Sequence, residues 1–377
     1  MTAPTQVAPP KPILPRHVNV RGREVPVVLP NRRDPRLKLS AVVMTLHVLG
    51  QTLLDFKVSI AQILITMAVC GLIEGVITFR NTGMVVWPAS GILTGSSVAL
   101  ILRASGTVHG DYWSLNGIQF FVLAGAVSLL SKHLIRPKGR HLFNPSNVGI
   151  VWCLLVVGPN HVFAQYLWWG PSILGQVLAY AVILFGAFWI LRAVRMIPMA
   201  LAFMATFTAL IGLFALGGRE FFAIWHEGAP VGGMEYWVNV ALSPEVLVFV
   251  FFMISDPQTA PKAPEARVVY GAAVALLAAA LIFPQQTEFG IKVAILSSLT
   301  AVCAVVPLIE AGVRRWGTAD RAIPEVRWAA VVAALRRPAV AAALIIAVAA
   351  PIDTVLLHDN RQVILIEQGQ VGKANAQ

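Results

Sequence analysis

Two polar, proline-marked breaks interrupt apolar stretches of the chain and hold the residues best suited to chemistry. The first is Asn144-Pro145-Ser-Asn147, which follows a basic cluster and opens an apolar segment. The second is Asp256-Pro-Gln-Thr259, which closes another apolar segment. Side-chain amides both donate and accept hydrogen bonds, and an ionised carboxylate accepts only. Each break is therefore either an ordinary helix cap or one wall of a binding site.

Three further polar side chains fall inside apolar stretches. Glu74 is a candidate for an ion or proton pathway, because an unpaired carboxylate inside a bilayer is costly. The alternative for Glu74 is a carboxyl group that pairs with Arg80 near the interface. Thr94 and Ser96 either line a cavity or bond back to helix carbonyls. The glycines beside them also fit close helix packing through small residues.

The composition indicates an integral membrane protein. Of the 377 residues, 57% are hydrophobic and only 12% are charged, whereas soluble domains carry about 25% charged residues. The three cysteines lie in apolar segments at unrelated spacing, which favours packing over a metal or iron–sulfur site. No nucleotide-binding loop and no nucleophile–base motif is present, so an enzyme that acts alone is the least supported class.

The apolar residues divide into eleven segments, and the charges between them define a topology. Most Lys and Arg residues fall in alternate connections, which predicts a cytoplasmic N-terminus and an external C-terminus in a bacterial-type inner membrane. The net charge of +11 then reflects topology and contact with anionic lipid headgroups rather than nucleic acid. The segments span about 40–54, 58–79, 88–102, 117–131, 146–158, 173–191, 197–216, 243–255, 268–283, 291–309 and 338–357.

The short segments predict a repeat. Segments 146–158 and 243–255 would form helices of about 20 Å, whereas the hydrocarbon core is about 30 Å thick. Short, proline-interrupted segments at corresponding places in two halves are typical of repeat-built membrane proteins. The topology also places both proline-marked breaks on the cytoplasmic side, which favours one shared site. We therefore predict an all-α polytopic membrane protein with a ten-helix core of two inverted five-helix repeats.

The chain then divides into five parts by this prediction. They are a basic, proline-rich cytoplasmic tail (1–38), the first repeat (39–158), the second repeat (159–312), a basic cytoplasmic linker (313–337), and an extra C-terminal transmembrane helix with an external tail (338–377).

Three motifs in order resemble those of a known family. The runs Leu93-Thr-Gly95, Phe143-Asn-Pro-Ser-Asn-Val-Gly149 and Phe252-Met-Ile-Ser-Asp-Pro-Gln-Thr259 are similar to the NqrB/RnfD family. That family contains the D subunit of the Rnf complex and the B subunit of sodium-translocating NADH:quinone reductase. The resemblance covers roughly residues 36–312. The sequences Asn-Pro-Ser-Asn and Asp34-Pro-Arg-Leu are still more similar to those of the UnbU-like branch of enediyne-biosynthesis membrane proteins.

The resemblance implies a urea-transporter-like core that binds flavin in the electron-transport members. Asn144, Pro145, Asn147, Asp256 and Thr259 would then line the flavin or ion site, together with Thr94 and Ser96. The electron-transport members attach FMN covalently to a threonine between their fifth and sixth helices. Residues 159–172 contain no threonine, so a covalent FMN there is not expected. A non-covalent flavin, FMN or riboflavin, remains compatible with the sequence.

Three functions follow from these observations. The first is a membrane subunit of an electron-transfer or redox-linked biosynthetic system, which would act with other membrane or soluble subunits. The second is a cofactor-free transporter or channel for a small solute or cation. The third is a membrane anchor for soluble biosynthetic partners.

Overall fold

The fold is known from a computed structural model that describes residues 16–20, 23–30, 34–166, 169–170, 172–226 and 229–316. Within these residues it is mostly helical. The helices are α1 (Pro35–Thr52), α2 (Ile60–Thr82), α3 (Ala89–Ile101), α4 (Ile118–Leu134), α5 (Pro145–Val157), α6 (Ile173–Val194), α7 (Ile197–Leu216), α8 (Gly233–Ala241), α9 (Pro244–Val248), α10 (Pro264–Ile282) and α11 (Glu288–Trp316). Ten of the predicted apolar segments coincide with helices. The eleventh, 338–357, lies outside the described residues, as does most of the predicted linker 313–337.

Six helical stretches in the described part of the chain are long and apolar enough to cross a membrane: Ile60–Thr82, Ile173–Val194, Ile197–Leu216, Gly233–Met253, Pro264–Ile282 and Glu288–Arg315. Helices α3, α4 and α5 are apolar but shorter. Large apolar side chains also cover the outer surface, and Leu216 is 87% exposed. A surface of this kind suits lipid rather than water. The prediction of a multi-pass membrane protein is therefore confirmed.

The mostly helical architecture agrees with the predicted fold class, and a few short strands accompany the helices. Strands β1 (Arg16–Val20) and β2 (Arg23–Val28) pair antiparallel, and β2 pairs in parallel with β3 (Val85–Val86). Strands β4 (Leu102–Ala104) and β5 (Val162–Ala164) form a second antiparallel pair. Helix α8 also lies in a region that hydropathy assigned to a loop. The inverted repeat and the urea-transporter-like arrangement stay predictions.

Glycines bring neighbouring helices into close contact. A Cβ atom at Gly95 of α3 would lie 2.6 Å from the Thr66 carbonyl oxygen of α2, and one at Gly149 of α5 would lie 2.2 Å from the Ala124 carbonyl oxygen of α4. Side chains larger than hydrogen do not fit at such distances. Helices α2, α3, α4 and α5 thus form one packed group. Helix α5 also packs against α11, which comes from the second half of the chain.

The helix that precedes the second proline-marked break is discontinuous. Helix α8 ends at Ala241, and Ser243 caps α9 through its hydroxyl, which accepts a hydrogen bond from the Val246 N–H (3.4 Å). Helix α9 continues into a π-helical turn, Phe249–Met253. π-helical turns are rare and often occur at functional sites. This broken helix therefore marks where a site is to be sought.

Candidate functional site

The first proline-marked break, residues 143–147, is the cap of helix α5, and we call it the Asn-Pro turn. The Oδ1 atom of Asn144 accepts hydrogen bonds from the Asn147 N–H (3.2 Å) and the Ser146 hydroxyl (3.0 Å). Pro145 occupies the first helical turn, where its missing N–H costs nothing. The cap interpretation is thus correct for Asn144, but it uses only half of the amide.

The other half of each amide reaches across the molecule. The Nδ2 group of Asn144 donates to the Met253 carbonyl in the π-helical turn (3.1 Å). The Nδ2 group of Asn147 donates to the Leu296 carbonyl and the Thr300 hydroxyl of α11, both at 2.8 Å. Both asparagines are buried. The Asn-Pro turn therefore ties α5 to two elements of the second half.

The second break, residues 255–259, contacts the residues just before the first break, and we call it the Asp-Pro turn. The Asp256 carboxylate accepts from the Gln258 N–H (2.9 Å) and lies 3.3 Å from the His141 Nε2 atom. Arg140 donates to the carbonyls of Pro257 (2.9 Å) and Ala260 (3.3 Å). The two breaks therefore lie together at one end of the helices, as their predicted common side requires.

Thr259 completes the Asp-Pro turn from within. Its hydroxyl donates to the Asp256 carbonyl (3.3 Å), and its side chain is buried. The hydroxyl of Ser255 donates to the Phe251 carbonyl one turn earlier. Both hydroxyl groups thus donate to backbone carbonyls three or four residues earlier in the chain, as short polar side chains at helix ends commonly do.

The described conformation does not fit a flavin buried between the two turns. The Nδ2 groups of Asn144 and Asn147 already donate to backbone carbonyls. The adjoining cavity, next to Met253 and Leu296, has a volume of about 10 Å³, which is room for one water molecule. An isoalloxazine ring is far larger. We therefore derive no chemical step through a flavin.

Glu74 belongs to a separate ion cluster in the first half. Its carboxylate contacts Lys132 Nζ at 2.7 Å and His133 Nε2 at 2.9 Å, and Lys132 also donates to the Ser90 hydroxyl (2.9 Å). The expected partner Arg80 is exposed and does not occupy this place. Helix α4 supplies both Lys132 and His133 because it packs against α2, a contact that sequence spacing does not reveal.

Thr94 and Ser96 lie on α3, and within the described residues their hydroxyl groups bond to neither turn. The Thr94 hydroxyl donates to the Ser90 carbonyl (2.9 Å), and the Ser96 hydroxyl faces the Met44 sulfur atom (3.8 Å). The Ser96 carbonyl is within 3.0 Å of the His47 ring. The back-bonding alternative therefore describes Thr94 but not Ser96.

Sequence reasoning missed a second buried charged cluster. Lys292 of α11 contacts Glu288 (2.9 Å) and lies 3.9 Å from Glu245 of α9, and all three are buried. Arg103 of β4 is buried nearby against Tyr166, with its guanidinium 4.2 Å from the ring centre. Neither Lys292 nor Arg103 stood out in the sequence. The i, i+4 spacing of Glu288 and Lys292 was the available signal.

Comparison with known proteins finds a family similarity in residues 160–316. Residues 160–316 match the NQR2, RnfD, RnfE family, and no curated protein matches the chain significantly. The matched stretch runs from β5 to the end of α11, so it contains the Asp-Pro turn but begins after the Asn-Pro turn. The UnbU-like branch stays a prediction. The chain is thus a multi-pass membrane protein in which residues 160–316 carry the NQR2, RnfD, RnfE family pattern.

Proposed function

We propose that the protein is an integral membrane subunit of an electron-transport complex. The observation that carries this proposal is the family match over residues 160–316. Arg140 and His141, which directly precede the Asn-Pro turn, contact the Asp-Pro turn inside the matched stretch, and these contacts support a functional unit that includes both turns. In our proposal the N-terminus is cytoplasmic, the C-terminus is external, and both turns face the cytoplasm.

The surface beside the two turns suits charged partners. Arg136 and Lys262 are exposed next to the turns, whereas Arg140 is engaged with backbone carbonyls. In our proposal the exposed cations contact anionic lipid headgroups and acidic surfaces of other subunits. Such contacts weaken as salt is raised, because screening acts on exposed charges.

Purification from native membranes in mild detergent tests the proposal. We expect the full chain to co-purify with subunits that contain redox centres, and membranes without the chain to lose an electron-transfer activity. A chain that purifies alone, from membranes whose electron transfer does not depend on it, would contradict the proposal. Purification at raised salt should release soluble partners first.

The non-covalent flavin stays a prediction with its own test. In the described conformation the two turns would have to separate before a ring reached the amides of Asn144 and Asn147. We expect flavin absorbance in the visible spectrum of the purified complex, and weaker retention in Asn144→Ala and Asp256→Ala. A complex without flavin absorbance after flavin supplementation would refute the prediction. The exposed-turn variant Asn160→Ala serves as the control.

A second candidate function is cofactor-free movement of a small solute or cation. It is favoured by the polar side chains along α11, since Lys292, Ser297 and Thr300 are all buried within an apolar helix. Flux through proteoliposomes that contain only this chain would support it. A chain that binds soluble partners but shows neither flux nor flavin would instead be an anchor.

A further inference from the structure

Glu245 is a buried carboxylate with an unsatisfied oxygen. It lies in the first turn after the break between α8 and α9, and it is 7% exposed. Its Oε2 atom has no hydrogen-bond partner in the described part of the chain, and the Lys292 ammonium is 3.9 Å away, beyond hydrogen-bonding distance. A buried carboxylate oxygen without a donor is costly unless it takes up a proton.

Lys292 is held by other groups. Its Nζ atom donates to the carbonyls of Ala164 (3.3 Å) and Gln165, and it contacts the Glu288 carboxylate at 2.9 Å. Two backbone carbonyls and two carboxylates thus surround one tethered ammonium group. Because this ammonium occupies the position between the oxygens, a free metal cation has no place there.

A small cavity lies beside Glu245. Glu245, Lys292, Met253 and Leu296 are among its lining residues, and its volume is about 10 Å³. Met253 and Leu296 also supply the carbonyls that accept hydrogen bonds from Asn144 and Asn147. The cavity and the two asparagines therefore share these two neighbours.

Helix α11 forms one wall of the cavity through Lys292 and Leu296. Positions 288, 292, 296 and 300 are spaced by four residues, so they lie along one face of the helix. Two further buried polar atoms, Asn147 Oδ1 and Ser297 Oγ, have no hydrogen-bond partner within the described ranges.

We propose that Glu245 is a reversible proton-binding site. As the pH is lowered, the Glu245 carboxylate takes up one proton from the solvent and becomes a neutral carboxylic acid; as the pH is raised, the same proton returns to the solvent. The site does not require that the protein carry electrons.

Charged and titratable groups from four elements surround Glu245. Helix α11 supplies Lys292 and Glu288, β4 supplies Arg103, the segment after β5 supplies Tyr166, and α6 supplies Tyr180. With Glu245 ionised, the two carboxylates balance the two cations. Protonation leaves the cluster with one net positive charge.

Infrared difference spectroscopy of the purified full chain tests this proposal without any redox partner. As the pH is lowered, we expect the carbonyl stretch of a buried, protonated carboxyl group to appear and to shift in D₂O. The band should be lost in Glu245→Gln and retained in Glu235→Gln, which removes an exposed carboxylate from α8 of the same broken helix. An unchanged band in Glu245→Gln would overturn the proposal.

Two further variants keep the test decisive. Lys292→Met removes the nearest cation, so the acid form is favoured and the midpoint of the band should move to higher pH. A midpoint that stays in place would contradict the proposal. If Glu245→Gln does not fold, Glu245→Asp moves the carboxyl group by one methylene and must shift the band; an identical spectrum would refute the assignment. Because these spectra need no partner subunit, failure here is distinct from failure of the proposed electron-transport role.

Discussion

Replacing Asn144 by alanine should destabilise the protein by removing two interactions at once. The cap of α5 is lost, which typically costs about 1 kcal/mol. The Met253 carbonyl also loses its donor inside the protein, and an unsatisfied buried acceptor costs about 1–3 kcal/mol. The sum is about 2–4 kcal/mol. A loss of even 2 kcal/mol lowers the ratio of folded to unfolded protein about thirtyfold.

The chain supplies its own probe for this measurement. All three cysteines, Cys70, Cys153 and Cys303, are buried in the folded protein. A thiol-reactive dye therefore reports unfolding of the detergent-solubilised protein as heat or denaturant is applied. Asn144→Ala should become reactive at a clearly lower midpoint than the parent protein.

Two control variants separate the contribution of the α5 cap from that of the hydrogen bond to Met253. Asn144→Ser retains a side-chain oxygen for the cap but cannot reach Met253, so it should recover about 1 kcal/mol of the loss. Asn160→Ala changes the same residue type in an exposed turn and should leave the midpoint unchanged. Equal midpoints for Asn144→Ala and Asn160→Ala would refute the reasoning, because neither the helix cap nor the hydrogen bond from Asn144 to Met253 would then contribute to stability.

Other substitutions test the packing and the ion cluster with the same dye. Gly149→Val would drive a side chain into Ser128 and the backbone of α4, so we expect a loss of about 1–3 kcal/mol. Gly75→Ala has open space around it and should be neutral or slightly stabilising; equal losses for both would contradict the close-packing argument. Glu74→Gln leaves Lys132 partly buried without its counter-charge and should cost about 3 kcal/mol. Adding Lys132→Met should recover part of that cost, and a larger loss in the double variant would show that the pair is not coupled.

Hydropathy was sufficient to predict most helices. The apolar segments that begin at 146 and 173 correspond to α5 and α6 within a few residues, because a helix in lipid must be apolar over its length. The cap at Asn144 followed from an asparagine before a proline, a local pattern. The start of α11 was placed three residues late, because Glu288 is charged and hydropathy assigns charged residues to loops.

The buried cluster could not be predicted by the same means. Glu245 of α9 and Lys292 of α11 come within 3.9 Å of each other only in the folded protein, and nothing in their spacing along the chain encodes that approach. Arg103 escaped notice for a related reason, since its buried side chain bonds to the Ala164 carbonyl of β5. The strand Leu102–Ala104 is buried throughout, so it lacks the alternation that identifies a half-buried strand.

The bonds of Asn147 also bear on how the chain is made. Its partners, Leu296 and Thr300, are 149 and 153 residues further along the sequence. During synthesis α5 therefore enters the membrane long before α11 exists, and the amide must remain hydrated or find a temporary partner. Contacts between distant parts of a chain form late and slowly. A nascent chain that stops before α11 should consequently remain an open intermediate, recognised by membrane quality control rather than assembled.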